Sequence, residues 1–379
     1  MSNVMSSSPE NSRSPTPPNP GPHFVGRGSS LEPESRFSKQ VRELDLDEVD
    51  RSLQEEPEEF SSGKIKTIFY EDLSRSIVSD NDSPDLSFRY SLNPYRGCEH
   101  GCAYCYARPT HEYLDLNAGI DFETRLFVKP NAAALFKEWI RKQKTTPDFI
   151  AFSGVTDCYQ PIERNLQLTR ACLEVALAAR LPIRIVTKNH LVTRDLDLFR
   201  KMNEHGLIQV GISLTSLDQE LTRTLEPRTG SPKARLQAIR ELSDNEIPVF
   251  TMLAPIIPGI NDSSIPELLE AAKEAGAEGA TYTVLRLPWS VEPVFVNWLE
   301  ENQPSRKEAI ISGIRKLRGG KLYNSKFGER MRGTGIMAEQ IHQTFQIFAR
   351  KHGLNKPFPK LNNSQFDPTC GAKKQRRLF

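Results

Sequence analysis

The sequence predicts an α/β fold, a partial parallel β/α barrel of six strands, on three observations. Short β-branched runs alternate with longer amphipathic stretches, the alternation continues from about residue 88 to residue 285, and the amphipathic stretches stop at Gly or Pro. Strands alternating with helices read as crossover units, in which each helix returns the chain to start the next parallel strand.

The elements follow in order. A first strand is expected just before Cys98, then strands at 149–152, 183–187, 208–214, 249–254 and 280–285. Apolar periodicity places helices at 168–179, 196–204, 234–242 and 265–275, with Gly206, Gly276 and Pro182 standing where helices should stop. Two further helices, 305–317 and 335–351, form a helical carboxy-terminal extension that runs out in the basic string KKQRRLF. Reacting groups in such a barrel belong on the loops after the carboxyl ends of the strands.

Residues 1–60 are rich in Ser, Pro and Glu and poor in aromatics, so they are expected to form a disordered tail, although the stretch 26–37 has apolar side chains with which to dock. The expected division is therefore 1–60 tail, 61–87 lead-in, 88–303 barrel core and 304–379 extension with basic tail.

Lys and Arg number 50 against 48 Asp and Glu, a net charge of +2, so any polyanion must be met by a local patch. No apolar run reaches membrane-spanning length and the amino terminus lacks a hydrophobic signal core, so a cytoplasmic protein with no membrane partner is expected. Six cysteines are a thin disulfide framework for 379 residues, and three of them crowd into the span 98–105. In a reducing compartment that crowding favours a metal site.

Cys98, Cys102 and Cys105 stand at C-x3-C-x2-C spacing in RGCEHGCAYCYARP. Iron-sulfur clusters are held by thiolates, and three on one Gly-containing loop grip three corners of a cubane while the fourth iron stays open. Two other readings compete at this level. A zinc site needs four ligands and would draw on His100 or His111, and an electron carrier would close its cluster with a fourth cysteine such as Cys158 or Cys370. Cys172, on an apolar helical face, reads as a small core residue.

The cysteine spacing, with an aromatic before the last Cys, resembles the signature of radical S-adenosylmethionine (SAM) enzymes. The longer string SLNPYRGCEHGCAYCYARPTHEYL, with the blocks TDCYQPIER, VTKNHLVTRDLDL, ISLTSLD, LEPRTGSPKARLQAIREL, APIIPGIND and LRLPW, resembles the branch related to spore photoproduct lyase, labelled "DNA repair photolyase-like". The resemblance implies a partial (β/α)6 TIM-type barrel, a 4Fe-4S cluster on the three cysteines, and SAM chelated at the open iron. It also implies reductive cleavage of SAM to a 5'-deoxyadenosyl radical, with electrons from an external donor of flavodoxin or ferredoxin type.

It further implies site residues. Tyr104 would lie against adenine, and Ser153, Gly154, Thr156 and Asp157 after the second strand would meet the SAM ammonium group. Lys188 would face the methionine carboxylate, and Ser213 and Thr215 the ribose or carboxylate. Glu226 and Arg228 would form a pair taking ribose hydroxyls and carboxylate, while Gly259 in the Pro258-Gly259 turn would shape the adenine side.

The lyase of this branch relays a hydrogen atom through a cysteine, and Cys158 is the candidate here, against the alternative of a packed core residue. By the same likeness the substrate would be a DNA lesion, met by Arg108, His111 and Tyr113 or by Arg330 and Arg332. The alternatives are the same chemistry on a protein or small molecule, or a non-catalytic iron-sulfur or zinc adaptor.

Overall fold

The computed structural model describes residues 26–33, 35–37 and 65–370. Its strands are β1 (Ile68–Glu71), β2 (Val78–Asp80), β3 (Tyr90–Leu92), β4 (Tyr95–Arg96), β5 (Arg125–Val128), β6 (Ile150–Phe152), β7 (Ile183–Thr187), β8 (Ile208–Ser213), β9 (Val249–Ile256) and β10 (Gly279–Val284).

The main sheet runs β2-β3-β6-β7-β8-β9-β10. From β3 to β10 neighbours are parallel and in chain order, and β2 is an antiparallel edge on β3. Parallel neighbours in sequential order are the connectivity of a β/α barrel, here six-stranded and open, because among the described residues no pairing joins β10 back to β2. The β10 edge is covered by the extension: Ala280 N donates to Leu354 O at 2.9 Å and Val284 N to Met331 O at 3.0 Å.

Register aligns Ile150, Ile183 and Ile208 across three strands, and every residue of β6 and β8 is buried, as strands covered on both faces require. Helices Leu168–Ala178, Leu196–Asn203, Pro232–Asp244 and Ile265–Glu274 supply the outer layer. The third starts two residues before the predicted 234, because Ser231 accepts from Ala234 N at 3.2 Å as a cap and Pro232 suits the first helical position. In the extension, Lys307–Leu317 and Gly335–Lys351 bury Ile310, Ile314, Ile341 and Phe345.

Two differences from the sequence reading stand out. The first barrel strand ends at Leu92, and the chain before Cys98 instead leaves the barrel as β4, pairing antiparallel with β5 in a small sheet β1-β5-β4. Pro94, between the two strands, has no N–H to continue the ladder. Second, the expected disordered tail is only partly within the described residues, and the part described is packed: Gly28, Ser29, Ser30 and Leu31 are buried against the barrel. The remainder, and the basic string at 373–379, lie outside the described residues. No described helix is long and apolar enough to cross a membrane.

Candidate functional site

The loop that carries the cysteines leaves β4 and lies across the carboxyl ends of the barrel strands. Cys98 and Cys102 are 7% exposed and Cys105 somewhat more. Burial pushes the Cys102 thiol up to about 12, against the pull of Lys188, and drives Cys98 well above the usual thiol range. Such thiols become thiolates when a metal replaces the proton.

The backbone of this loop is held from several sides. Cys98 N donates to Phe122 O at 2.9 Å and Ala103 N to Leu225 O at 3.0 Å. Fully buried Gln160 accepts from Glu99 N at 2.9 Å and donates to Gly97 O at 3.3 Å, and Glu99 accepts from Ile162 N at 2.8 Å.

Arg108, at 0% exposure, donates to Cys102 O at 2.9 and 3.0 Å, to Gly101 O at 3.3 Å and to Gly119 O at 2.8 Å, and pairs with buried Glu123 at 2.5 Å. Gly101 has φ 64°, and a Cβ there would lie 2.5 Å from Glu123 Oε2, so both conformation and space call for glycine.

These contacts correct two of the sequence assignments. Arg108 is a clamp inside the cysteine loop, not part of a substrate mouth. His111 is no part of an exposed mouth: it is buried against Phe122 and Phe127, and its Nε2–H donates to Arg125 O at 2.8 Å. His100, weighed as a zinc ligand, is buried, with Nδ1 3.4 Å from Asp157 and Nε2 3.4 Å from Asn189 Nδ2.

Burial lowers His111 to about 4, the Arg125 carbonyl only partly opposing it. Its folded value lies below its unfolded one, so the unfolded chain takes up a proton below about pH 6.5 that the folded chain refuses until about pH 4. Stability should therefore fall with acidification across that window, by about 3 kcal/mol in all. Urea titrations of the apoprotein should show this loss shrinking by that amount in His111→Gln; an equal loss in both proteins refutes the assignment.

After β6, Ser153 adopts φ 69°, and its Oγ accepts from Cys158 N at 3.0 Å. Gly154 O accepts from Tyr106 Oη at 2.9 Å, and Thr156 Oγ1 donates to Tyr95 O at 3.1 Å. Asp157 accepts from Thr187 Oγ1 at 2.7 Å, Lys188 N at 2.8 Å and Tyr159 N at 2.9 Å. Burial pushes its carboxyl up, but His100 and these donors outweigh it and hold the group at about 2.

After β8 lies a buried ionic knot. Glu226 accepts from Tyr104 Oη, from Thr215 Oγ1 at 2.8 Å, and from Arg235, whose guanidinium also donates to Ser213 O at 3.1 Å. The Lys188 ammonium lies 5.8 Å from the Tyr104 ring centroid. Burial pushes the Glu226 carboxyl up, but Arg235 and Lys188 together hold it below its ordinary value.

Glu226 and Arg228 do not pair with each other, since Arg228 meets Glu99 at 3.2 Å. Gly259, with φ 75°, turns the loop after β9, its N–H donating to Asp262 at 2.8 Å. Asn261 stitches that loop to β8 by donating to Thr215 O at 2.8 Å.

Cys158 has no exposed surface and belongs to the main hydrophobic core, which favours the packed reading, since a hydrogen-atom relay must touch the substrate. Cys370 follows Asp367, whose N–H donates to Ala179 O at 2.8 Å, at the end of the barrel opposite the mouth.

Sequence reasoning missed Gln160, Glu123, Asn261 and Arg235. For Arg235 a signal was present: it shares the helical phase of buried Ala238, Ile239 and Leu242, a charge on an apolar face.

The profile of the Radical SAM superfamily matches residues 92–272. An uncharacterized protein of Mycobacterium bovis is 35% identical over 268 residues, 70% of this chain and 78% of its own. The chain belongs to the radical SAM superfamily. An uncharacterized protein of Methanocaldococcus jannaschii is 32% identical over 222 residues, 59% of this chain and 79% of that one. Among solved structures, spore photoproduct lyase complexed with dinucleoside spore photoproduct has the same fold, with TM-score 0.56 at 18% identity over 76% of this chain and 79% of that chain. A mutant of that lyase with bound AdoMet and dinucleoside spore photoproduct matches with TM-score 0.55 at 17% identity, covering 76% and 79%.

Radical SAM enzymes carry a 4Fe-4S cluster and SAM, and the donor set here fits them. Among the described residues no three His, Cys, Asp or Glu side chains converge on a single metal ion, as a mononuclear zinc site would require. A cubane spreads its thiolates over separate corner irons, so three soft donors on one loop suit it without converging.

Proposed function

We propose that Cys98, Cys102 and Cys105 bind three corners of the cluster, that the loops after β6 to β9 bind SAM, and that the substrate is a modified base in nucleic acid. The observation that carries this reading is the buried thiol loop, clamped from within by Arg108 and tied by Gln160 to the loop after β6. When bound, the reduced cluster and SAM supply a 5'-deoxyadenosyl radical that abstracts hydrogen; the electron comes from a flavodoxin or ferredoxin type donor.

The protein's own residues bind, orient and shield. The Lys188 ammonium faces the methionine carboxylate, and Ser153, Gly154 and Thr156 shape the backbone that receives the ammonium group. Asp157, kept ionised, attracts that same cation, with most of its lone pairs already fixing Thr187 and Lys188. Tyr104 offers its ring to adenine and Gly259 turns the loop beside it. Ser213, Thr215 and Glu226 line the ribose side, Glu226 mainly as the fixed point of Tyr104, and Arg228 tethers Glu99 of the cysteine loop.

Support for a nucleic-acid substrate comes from the mouth. Tyr106 is exposed beside Cys105, and the Arg286 guanidinium lies 5.1 Å from its ring centroid. Arg286 Nε is buried without an acceptor among the described residues, and Nη1 meets only the weak acceptor Met331 Sδ at 3.6 Å. Trp289, 59% exposed, adds an aromatic face. Aromatic faces beside an unsatisfied guanidinium suit a flipped base and its phosphate.

The test is anaerobic turnover with oligonucleotides deuterated at the candidate base, with label expected in the released 5'-deoxyadenosine. Affinity should fall steeply with salt. Arg286→Ala should weaken binding about tenfold, leaving substrate-free SAM cleavage intact. Salt-independent binding with no label transfer would turn the reading to a protein or small-molecule substrate.

A further inference from the structure

The segment 26–37 lies far upstream of the barrel in sequence, and nothing in the proposed chemistry uses it. Its contacts converge on the cysteine loop. Gly28 N donates to Glu123 Oε2 at 3.0 Å, the carboxylate whose other oxygen receives Arg108, which in turn binds Cys102 O. Arg27 Nη1 donates to Glu123 O at 3.1 Å, while Nη2 donates to Ile65 O at 2.7 Å and Thr67 Oγ1 at 2.9 Å, tying the segment to the start of β1.

Gly28 and Gly101 pack backbone on backbone: a Cβ on Gly28 would lie 1.5 Å from Gly101 O. Ile120 N donates to Leu31 O at 3.2 Å, next to the carbonyl of Gly119 that Arg108 also holds. Ser30 Oγ donates to Glu301 at 2.8 Å and accepts from Asn297 at 3.0 Å. At the far end Arg36 pairs with Glu112 and lies 4.1 Å from the Trp289 ring centroid, and Phe37 stacks on Tyr113 with centroids 4.9 Å apart.

We infer that residues 26–31 form a strap belonging to the cluster-binding machinery, with Arg27 and Gly28 as positioning residues that act through Glu123 and Arg108 on the loop between Cys98 and Cys105. The physical argument is burial. Glu123 and Arg108 are both fully buried, so each must have its hydrogen-bonding capacity met. The Gly28 amide meets the part of the carboxylate that Arg108 leaves open, and without it Oε2 would be desolvated and unpaired. A loosened Glu123 loosens the guanidinium, and with it the carbonyls of Gly101 and Cys102. Partners of metal ligands typically change metal affinity by about ten to a hundredfold when removed.

The inference rests on the three-cysteine ligand reading, and its test separates the two. Full-length Gly28→Ala and Arg27→Ala proteins are compared with wild type by hydrogen exchange of the metal-free form, and by chelator extraction of iron from the reconstituted form. Amides of residues 97–106 should exchange about tenfold faster in both variants while the β7 to β9 amides keep wild-type rates. Iron should be lost about tenfold faster, with partial recovery in Arg27→Lys.

Wild-type exchange over 97–106 in both variants overturns the inference, and so does exchange that rises uniformly over the whole barrel. Arg27 is only partly buried and reaches backbone acceptors and one hydroxyl, so Arg27→Ala decides the matter if Gly28→Ala fails to fold. A wild-type protein that never loads iron would sink the ligand reading, yet leave the exchange comparison able to decide the strap.

Discussion

Replacing Cys102 by Ala should leave the barrel folded while iron and sulfide incorporation and 5'-deoxyadenosine release fall together, to below about 1% of wild type. Two thiolates cannot fix three corners of a cubane. Cys158→Ala is the informative contrast. That thiol is wholly enclosed by core side chains, so its loss should cost about 1 kcal/mol of stability and leave cluster loading unchanged. Iron analysis and product chromatography on the two proteins side by side check both statements. A fully loaded Cys102→Ala protein contradicts the ligand assignment.

The second large effect concerns the buried knot after β8. Arg235→Met would leave the Glu226 carboxylate without its paired guanidinium, with only the more distant Lys188 ammonium, at a site that water does not reach, and removal of one partner of a buried pair costs about 3–5 kcal/mol. Glu226→Gln keeps an acceptor for Tyr104 and Thr215 and should cost less, about 1–3 kcal/mol. The double variant removes both charges and should recover part of the loss. Urea denaturation of the metal-free proteins, arranged as a double-mutant cycle, measures the coupling. Strictly additive losses would show that Glu226 and Arg235 do not depend on each other.

The parallel strands were legible because a strand buried on both faces must be written as a run such as IQVGIS, which no amphipathic helix tolerates at that length. The small sheet was not, since β1 carries four exposed residues and β4 only two in all, too little pattern to register. The thiol loop was legible by spacing alone. What holds it was not: Arg108 and Glu123, or Gly28 and Gly101, are ordinary residues whose meaning lies in which distant partner the fold brings to them.

At two points the fold separates or redirects chain neighbours. Arg228 neighbours Glu226 in sequence, yet the turn between them sends it to Glu99, and the cation that reaches Glu226 comes from the next helix. Cys158 follows the strand end that faces the mouth, but its backbone is pinned by Ser153 and Thr169 with the side chain turned into the core.

The most direct trial of the whole account is a hyperfine measurement on the reduced, reconstituted protein, made once with SAM labelled with nitrogen-15 and oxygen-17 in its methionine part, and once with unlabelled SAM on uniformly nitrogen-15 labelled protein. Coupling of the labelled amino and carboxylate groups to a single iron is the expected result. Coupling of that iron to a protein side-chain nitrogen, with none to SAM, would contradict it.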